Sequence, residues 1–175
     1  MTPAIEDPPC CLLLVEAALL TAGGDAPERA ALEALCAYSH GQWRLLVVMN
    51  QPEQWQPTRR SMDRHLLLQQ NIHEHLTRLG SHLDGVLYLP SPLLGRRQKR
   101  AAALLKVAHR TAVEPAAVWY IGGDPLNLQA AHAAGLRIIA LGAPAAGQPA
   151  ACRHYSTLDE ALRLLPTADT APADS

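Results

Sequence analysis

The chain contains no phenylalanine, and aromatic residues make up only 4% of its 175 residues. Its core must therefore be built mainly from Leu, Ala and Val. Cysteine is also scarce. Cys10, Cys11, Cys36 and Cys152 form no CxxC pair, so neither a zinc site nor a disulfide framework is expected, and buried reduced thiols are the simpler reading. Neither sign of charge dominates: 15 Lys and Arg stand against 16 Asp and Glu, for a net charge of −1. Nothing in that balance calls for nucleic acid, and no Lys/Arg run calls for a membrane surface. No apolar run approaches the roughly 20 residues that span a bilayer. Glu6 and Asp7 stand where a secretory signal would carry cations, so a cytoplasmic protein is expected. A P-loop and a GxSxG turn are both missing, and Gly122-Gly123-Asp124 does not complete a dinucleotide-binding GxGxxG.

What is present is 49% hydrophobic and 18% charged, the profile of an ordinary globular domain. Cys10 to Val15 (CCLLLV) and Trp43 to Met49 (WRLLVVM) are continuous apolar runs, as in strands covered on both faces. Gly85 to Leu89, Ala117 to Ile121 and Leu136 to Leu141 read as three more strands. Between them, Asp25-Ala-Pro-Glu28 reads as a helix start with an acid cap and an early Pro, the helix running to about Ser39. A long helix is expected from about Thr58 to Leu79, with Leu67, Leu68, Ile72, Leu76 and Leu79 near helical spacing and Gly80 closing it. Further helices are expected over Arg97 to Thr111 and about Leu126 to Ala134. Thr157-x-x-Glu160 is a capping box opening a last helix to about Leu165. This alternation predicts an α/β, three-layer Rossmann-like domain over residues 10–165, with a mostly parallel five-stranded sheet and helices on both faces. Residues 1–9 are expected to form a flexible arm, and the low-complexity 166–175 a disordered tail.

Several passages carry a resemblance in this order: LLVVMNQ (Leu45 to Gln51), LDGVLYLPSP (Leu83 to Pro92), WYIGGDPLNLQAAHAAG (Trp119 to Gly135) and STLDEAL (Ser156 to Leu162). Together they resemble the haloacid dehalogenase (HAD) superfamily, and within it the D,D-heptose 1,7-bisphosphate phosphatase and histidinol-phosphate phosphatase group. The resemblance implies a HAD-like domain without a separate cap. It also implies a phosphatase chemistry. An Asp at the end of the first strand attacks phosphorus, and a second Asp two residues later moves the proton. A hydroxyl after the second strand and a Lys grip the phosphoryl oxygens. Acids after the fourth strand help hold magnesium, which requires oxygen ligands.

Carried over position by position, those groups are replaced. Val15 stands at the nucleophile, Ala17 at the acid/base and Met49 at the phosphate-binding hydroxyl, while Asn50 and Gln51 are retained. Gly123 stands at one metal acid and Asn127 at the second, with Asp124 one residue late. Arg97, or Lys99, stands where the Lys would. Leu89-Pro90-Ser91 replaces the Cys-Pro-His of the group's zinc loop, so no zinc is expected.

The resemblance thus implies a phosphatase-like protein that has lost its catalysis, with no intact catalytic residue and no metal. A ligand or partner role is then expected. The ligand would be a phosphorylated small molecule, held by Asn50, Gln51, Arg97, Lys99, Gly122, Asp124 and Asn127. Gly122-Gly123, before a helix N-terminus, offers backbone N–H groups to an anion. The basic cluster Arg96, Arg97, Lys99 and Arg100 lies at the edge of this region, although it equally suits a solvated helix start. The alternative role is a protein partner, for which Trp55 in the loop NQPEQWQP is a candidate contact. A divergent magnesium-dependent phosphatase of sugar phosphates remains the alternative to both. His65, His73 and His75 share no helical face at chelating distance.

Overall fold

The first apolar run, β1 (Cys10–Val15), lies at the middle of a sheet, and its burial on both sides explains why it carries no polar residue. The structure is a computed structural model that describes residues 10–21, 23–24, 26–38, 43–50, 59–90 and 94–165. The arm, the tail, Gln51, Trp55 and Asp25 lie outside the described residues.

After β1 come a 3₁₀ turn (Glu16–Leu19), α1 (Arg29–Tyr38), β2 (Trp43–Asn50), α2 (Arg59–Arg78), β3 (Gly85–Leu89) and α3 (Arg96–Thr111). A second 3₁₀ turn (Pro115–Ala117) leads to β4 (Val118–Gly122), α4 (Pro125–Ala133), β5 (Arg137–Leu141), β6 (Arg153–Tyr155) and α5 (Leu158–Leu162). The sheet order is β3-β2-β1-β4-β5-β6, and every pairing is parallel.

Alternation along β1 divides the core in two. Leu12 and Leu14 face Leu32, Leu35, Ile72, Leu76 and Leu162, so α1, α2 and α5 cover one face. Cys11 and Leu13 face Leu104, Val107, Leu128 and Ala131, so α3 and α4 cover the other. Each fully buried Leu contributes roughly 1.5–3 kcal/mol of transfer free energy. The three-layer α/β architecture is as expected from the sequence.

Some details differ. Among the described residues the sheet has six strands, not five, because Arg153–Tyr155 adds a short parallel edge to β5. Three residues of mixed polarity carry no strand period to read. Ala26, Pro27 and Glu28 do not open a helix. Pro27 bridges Leu20, and the backbone bonds Thr21 N–H to Ala26 O (2.9 Å) and Glu28 N–H to Leu19 O (2.8 Å) close a small loop, so α1 starts at Arg29. On α2, Ile72 and Leu76 are buried, but Leu67 is 60% exposed and Leu79 38%. The buried stripe follows the i, i+4 row through Leu68, Ile72 and Leu76. Thr157 and Glu160 do form the expected capping box, each side chain bonding the other residue's backbone N–H.

Candidate functional site

The chain leaves β1 for β2 and β3 on one side, then crosses to β4, β5 and β6 on the other. The carboxyl ends of β1 and β4 therefore form the switch point at which open α/β sheets bind ligands. Val15 ends β1 there, half-buried, and Ala17 is exposed in the turn that follows. Gly122 ends β4 and Gly123 is exposed just beyond it. Asn50 ends β2 and is exposed. These ends bring together most of the described residues that the sequence singled out.

A side-chain network joins them. Arg100, only 3% exposed, donates from Nη1 to Asn127 Oδ1 at 2.6 Å and from Nε to the Pro90 carbonyl at 3.0 Å. Asn127, fully buried, donates from Nδ2 to Asn50 Oδ1 at 2.9 Å. Its backbone N–H donates to Asp124 Oδ1 at 2.9 Å. The network thus ties α3, α4 and the ends of β2 and β3 around the end of β1. Arg100 was legible only as one of four cations in a basic helix start. A signal was available: Arg100, Leu104, Val107 and Ala108 fall on one helical stripe, and all four are buried. The cations singled out instead, Arg97 and Lys99, are exposed on the first turn of α3.

Two further features shape the site. Tyr120 is fully buried, and its ring and hydroxyl fill the space beside Gly122 and Val15: a Cβ built on Gly122 would lie 3.0 Å from Tyr120 Oη and 3.2 Å from Val15 Cβ. Burial pushes the Tyr120 hydroxyl well above the usual phenol range. The Asn127 amide opposes that shift, Asp124 adds to it, and Arg100 opposes it. The Asn127 amide is near enough to act on the hydroxyl, yet no partner of hydrogen-bond geometry meets Tyr120 Oη. Met49, 4% exposed, belongs to the core beside α1 and α2, and Gln69 Nε2 approaches its sulfur at 3.3 Å. It is a packing residue, with no hydroxyl to donate to a phosphate.

The donor set does not fit magnesium. Val15, Ala17, Met49 and Gly123 bring no oxygen-bearing side chain, and Asn127 brings a neutral amide already engaged. Asp124 uses its carboxylate to cap α4. A Cβ on Gly123 would lie 3.0 Å from the Leu141 carbonyl oxygen, so a side chain there would crowd the backbone. Among the described residues no group of three or more His, Cys, Asp or Glu is placed to hold a metal ion. The same cap alters the expected anion site at α4. Asp124 occupies the N3 amide, and Pro125 at the helix start has no N–H to give. Among the described residues no helix is long and apolar enough to cross a membrane.

No sequence-family profile matches the chain, and no curated protein matches it by sequence. Solved structures do match. D,D-heptose 1,7-bisphosphate phosphatase from B. bronchiseptica, complexed with magnesium and phosphate, superposes with a TM-score of 0.69 at 17% identity, covering 88% of this chain and 96% of that one. The enzyme of the same name from Burkholderia thailandensis gives 0.66 at 19% identity, with the same coverages. A HAD-superfamily hydrolase from Geobacter sulfurreducens gives 0.51 at 24%, covering 79% of this chain and 60% of that one. The chain has the fold of the HAD-superfamily hydrolases, in the form shared with the D,D-heptose 1,7-bisphosphate phosphatases.

Proposed function

We propose that this chain is a HAD-fold protein that binds a phosphorylated small molecule and does not hydrolyse it. The observation that carries this reading is the Arg100–Asn127–Asn50 network at the carboxyl ends of the strands. In it an amide, Asn127, stands where the resemblance expects a metal-binding acid, and that amide is already engaged by a guanidinium and by Asn50. Removing a nucleophile alone costs on the order of 10⁶ in rate, and here Val15, Ala17, Met49 and Gly123 replace four groups at once. The charge at the start of α3 supports an anionic ligand. The first five residues of α3 include Arg96, Arg97, Lys99 and Arg100, with no acidic residue in the first turn and no side-chain cap. That placement opposes the helix dipole, and an anion in the site relieves the opposition. Isothermal titration with a panel of sugar phosphates tests the reading. Saturable heat supports it, and no heat at millimolar ligand contradicts it.

A partner-binding role is favoured by a separate observation. Leu66 and Leu67 on α2 are 59% and 60% exposed, and Leu94 before α3 is 83% exposed. Co-purification of one stoichiometric partner, weakened by Leu66→Gln with Leu67→Gln, is the result this reading requires. Unchanged recovery of that partner from the double variant contradicts it.

A further inference from the structure

Arginine has only donors, so the Asn127 atom facing Arg100 must be the amide oxygen. Asn127 therefore turns its Nδ2 away, toward Asn50, and meets the oxygen of that side chain. Asn50 in turn must point its own Nδ2 outward from the network, at the exposed carboxyl end of β2. Nothing among the described residues accepts from it. The three groups form a chain in which a buried positive charge aligns two amide dipoles in one direction. Hydrogen bonds in such a chain polarise one another in a low-dielectric interior.

We propose that Arg100 is the built-in cation of this site, and that through Asn127 it makes Asn50 a polarised donor for an oxyanion that binds without a metal ion. The ligand class is a phosphate group, either free or as the monoester of a small molecule. The proposal rests on the phospho-ligand reading above and adds to it the source of the charge. In the B. bronchiseptica enzyme the phosphate is accompanied by magnesium. Here the donor set among the described residues does not suit that ion, and a side chain at Gly123 would crowd the Leu141 carbonyl. Arg100 is a positioning and charge-supplying residue, too deeply buried to serve as the main contact. The contact atoms are Asn50 Nδ2 and the cations Arg97 and Lys99, which are exposed.

The test is the affinity of the full chain for inorganic phosphate, and in a separate arm for glucose 6-phosphate, by isothermal titration in EDTA and in magnesium. Four proteins are compared: wild type, Arg100→Met, Asn127→Asp and, as a control at the opposite end of the sheet, Arg137→Ser. Asn127→Asp is the decisive variant, because an aspartate beside Arg100 pairs with it and keeps the fold. It sets a negative charge beside Arg100 and makes Asn50 turn its Nδ2 inward, leaving an acceptor facing the ligand. The expected result is binding of equal strength in EDTA and magnesium, weakened at least about tenfold by Asn127→Asp and by Arg100→Met, and unchanged by Arg137→Ser. Which arm binds more tightly tells free phosphate from a monoester. Binding that vanishes in EDTA overturns the proposal and leaves the ligand reading standing. So does metal-free binding that Asn127→Asp leaves intact. No binding of either probe by any form overturns both.

Discussion

Arg100 Nη1 lies 2.6 Å from Asn127 Oδ1, so the position at which the resemblance expects a metal-binding acid instead accepts from a buried guanidinium. Asn127→Ala removes that acceptor together with the bond to Asn50. A buried hydrogen bond to a charged group contributes about 1.5–3 kcal/mol, and a loss of that size in urea unfolding is expected. A loss under about 0.5 kcal/mol, the scale of an ordinary surface substitution, contradicts the central place given to Asn127.

Gly122 marks the tightest packing of the site. Its backbone is not in the left-handed region, so the obstacle to a side chain is steric, with Tyr120 Cε1 at 3.1 Å from the built Cβ. Gly122→Ala is expected to destabilise by about 1–3 kcal/mol, the range for overpacking. Tyr120→Phe in the same chain recovers part of that, since the hydroxyl at 3.0 Å is gone while the ring stays. Additive effects of the two substitutions in a double-mutant cycle contradict the contact.

The Tyr120 hydroxyl gives a pH dependence. Its pKa in the folded chain is raised above the usual value near 10, chiefly by burial. The folded state thus holds the proton after the unfolded state has released it. The contribution to stability is complete below about pH 10 and is lost as pH rises from there toward the folded value. Tyr120→Phe should unfold less steeply with alkali than the wild type above about pH 10. It should also lose nothing at neutral pH, because the hydroxyl has no partner of hydrogen-bond geometry to give up. Parallel alkaline melting curves for the two proteins contradict this.

Asp124 serves as the cap of α4. Asp124→Ala is expected to cost about 1 kcal/mol, as N-cap losses do, and Asp124→Asn much less, since an amide oxygen still accepts from Asn127. Equal losses in thermal melts point to a role for the carboxylate charge that the cap does not explain.

The fold was legible where burial on both faces forces a residue pattern. CCLLLV and WRLLVVM can be little other than interior strands, and Thr157 with Glu160 announces its helix through a local bond pattern that needs no tertiary context. The sixth strand was not legible, because Arg153–Tyr155 pairs on one side only and needs no apolar run. At the candidate site the resemblance supplied positions, Val15, Ala17, Met49 and Gly123, but not the network that joins Arg100, Asn127 and Asn50. Which of four cations turns inward is decided by the packing of α3, although the stripe through Leu104 and Val107 pointed to Arg100. Tyr120 reads as one more strand residue until the fold shows its hydroxyl against Gly122 and Val15.

The account's central claim is that no phosphoryl-transfer chemistry remains at the carboxyl ends of these strands. The most direct measurement is phosphate release from sugar phosphates and p-nitrophenyl phosphate, with and without magnesium, by wild type and by Asp124→Asn protein prepared in parallel. The account predicts no turnover above that control in either condition. Magnesium-dependent turnover that the substitution abolishes contradicts it, and makes the chain a divergent phosphatase whose catalytic carboxylate is Asp124.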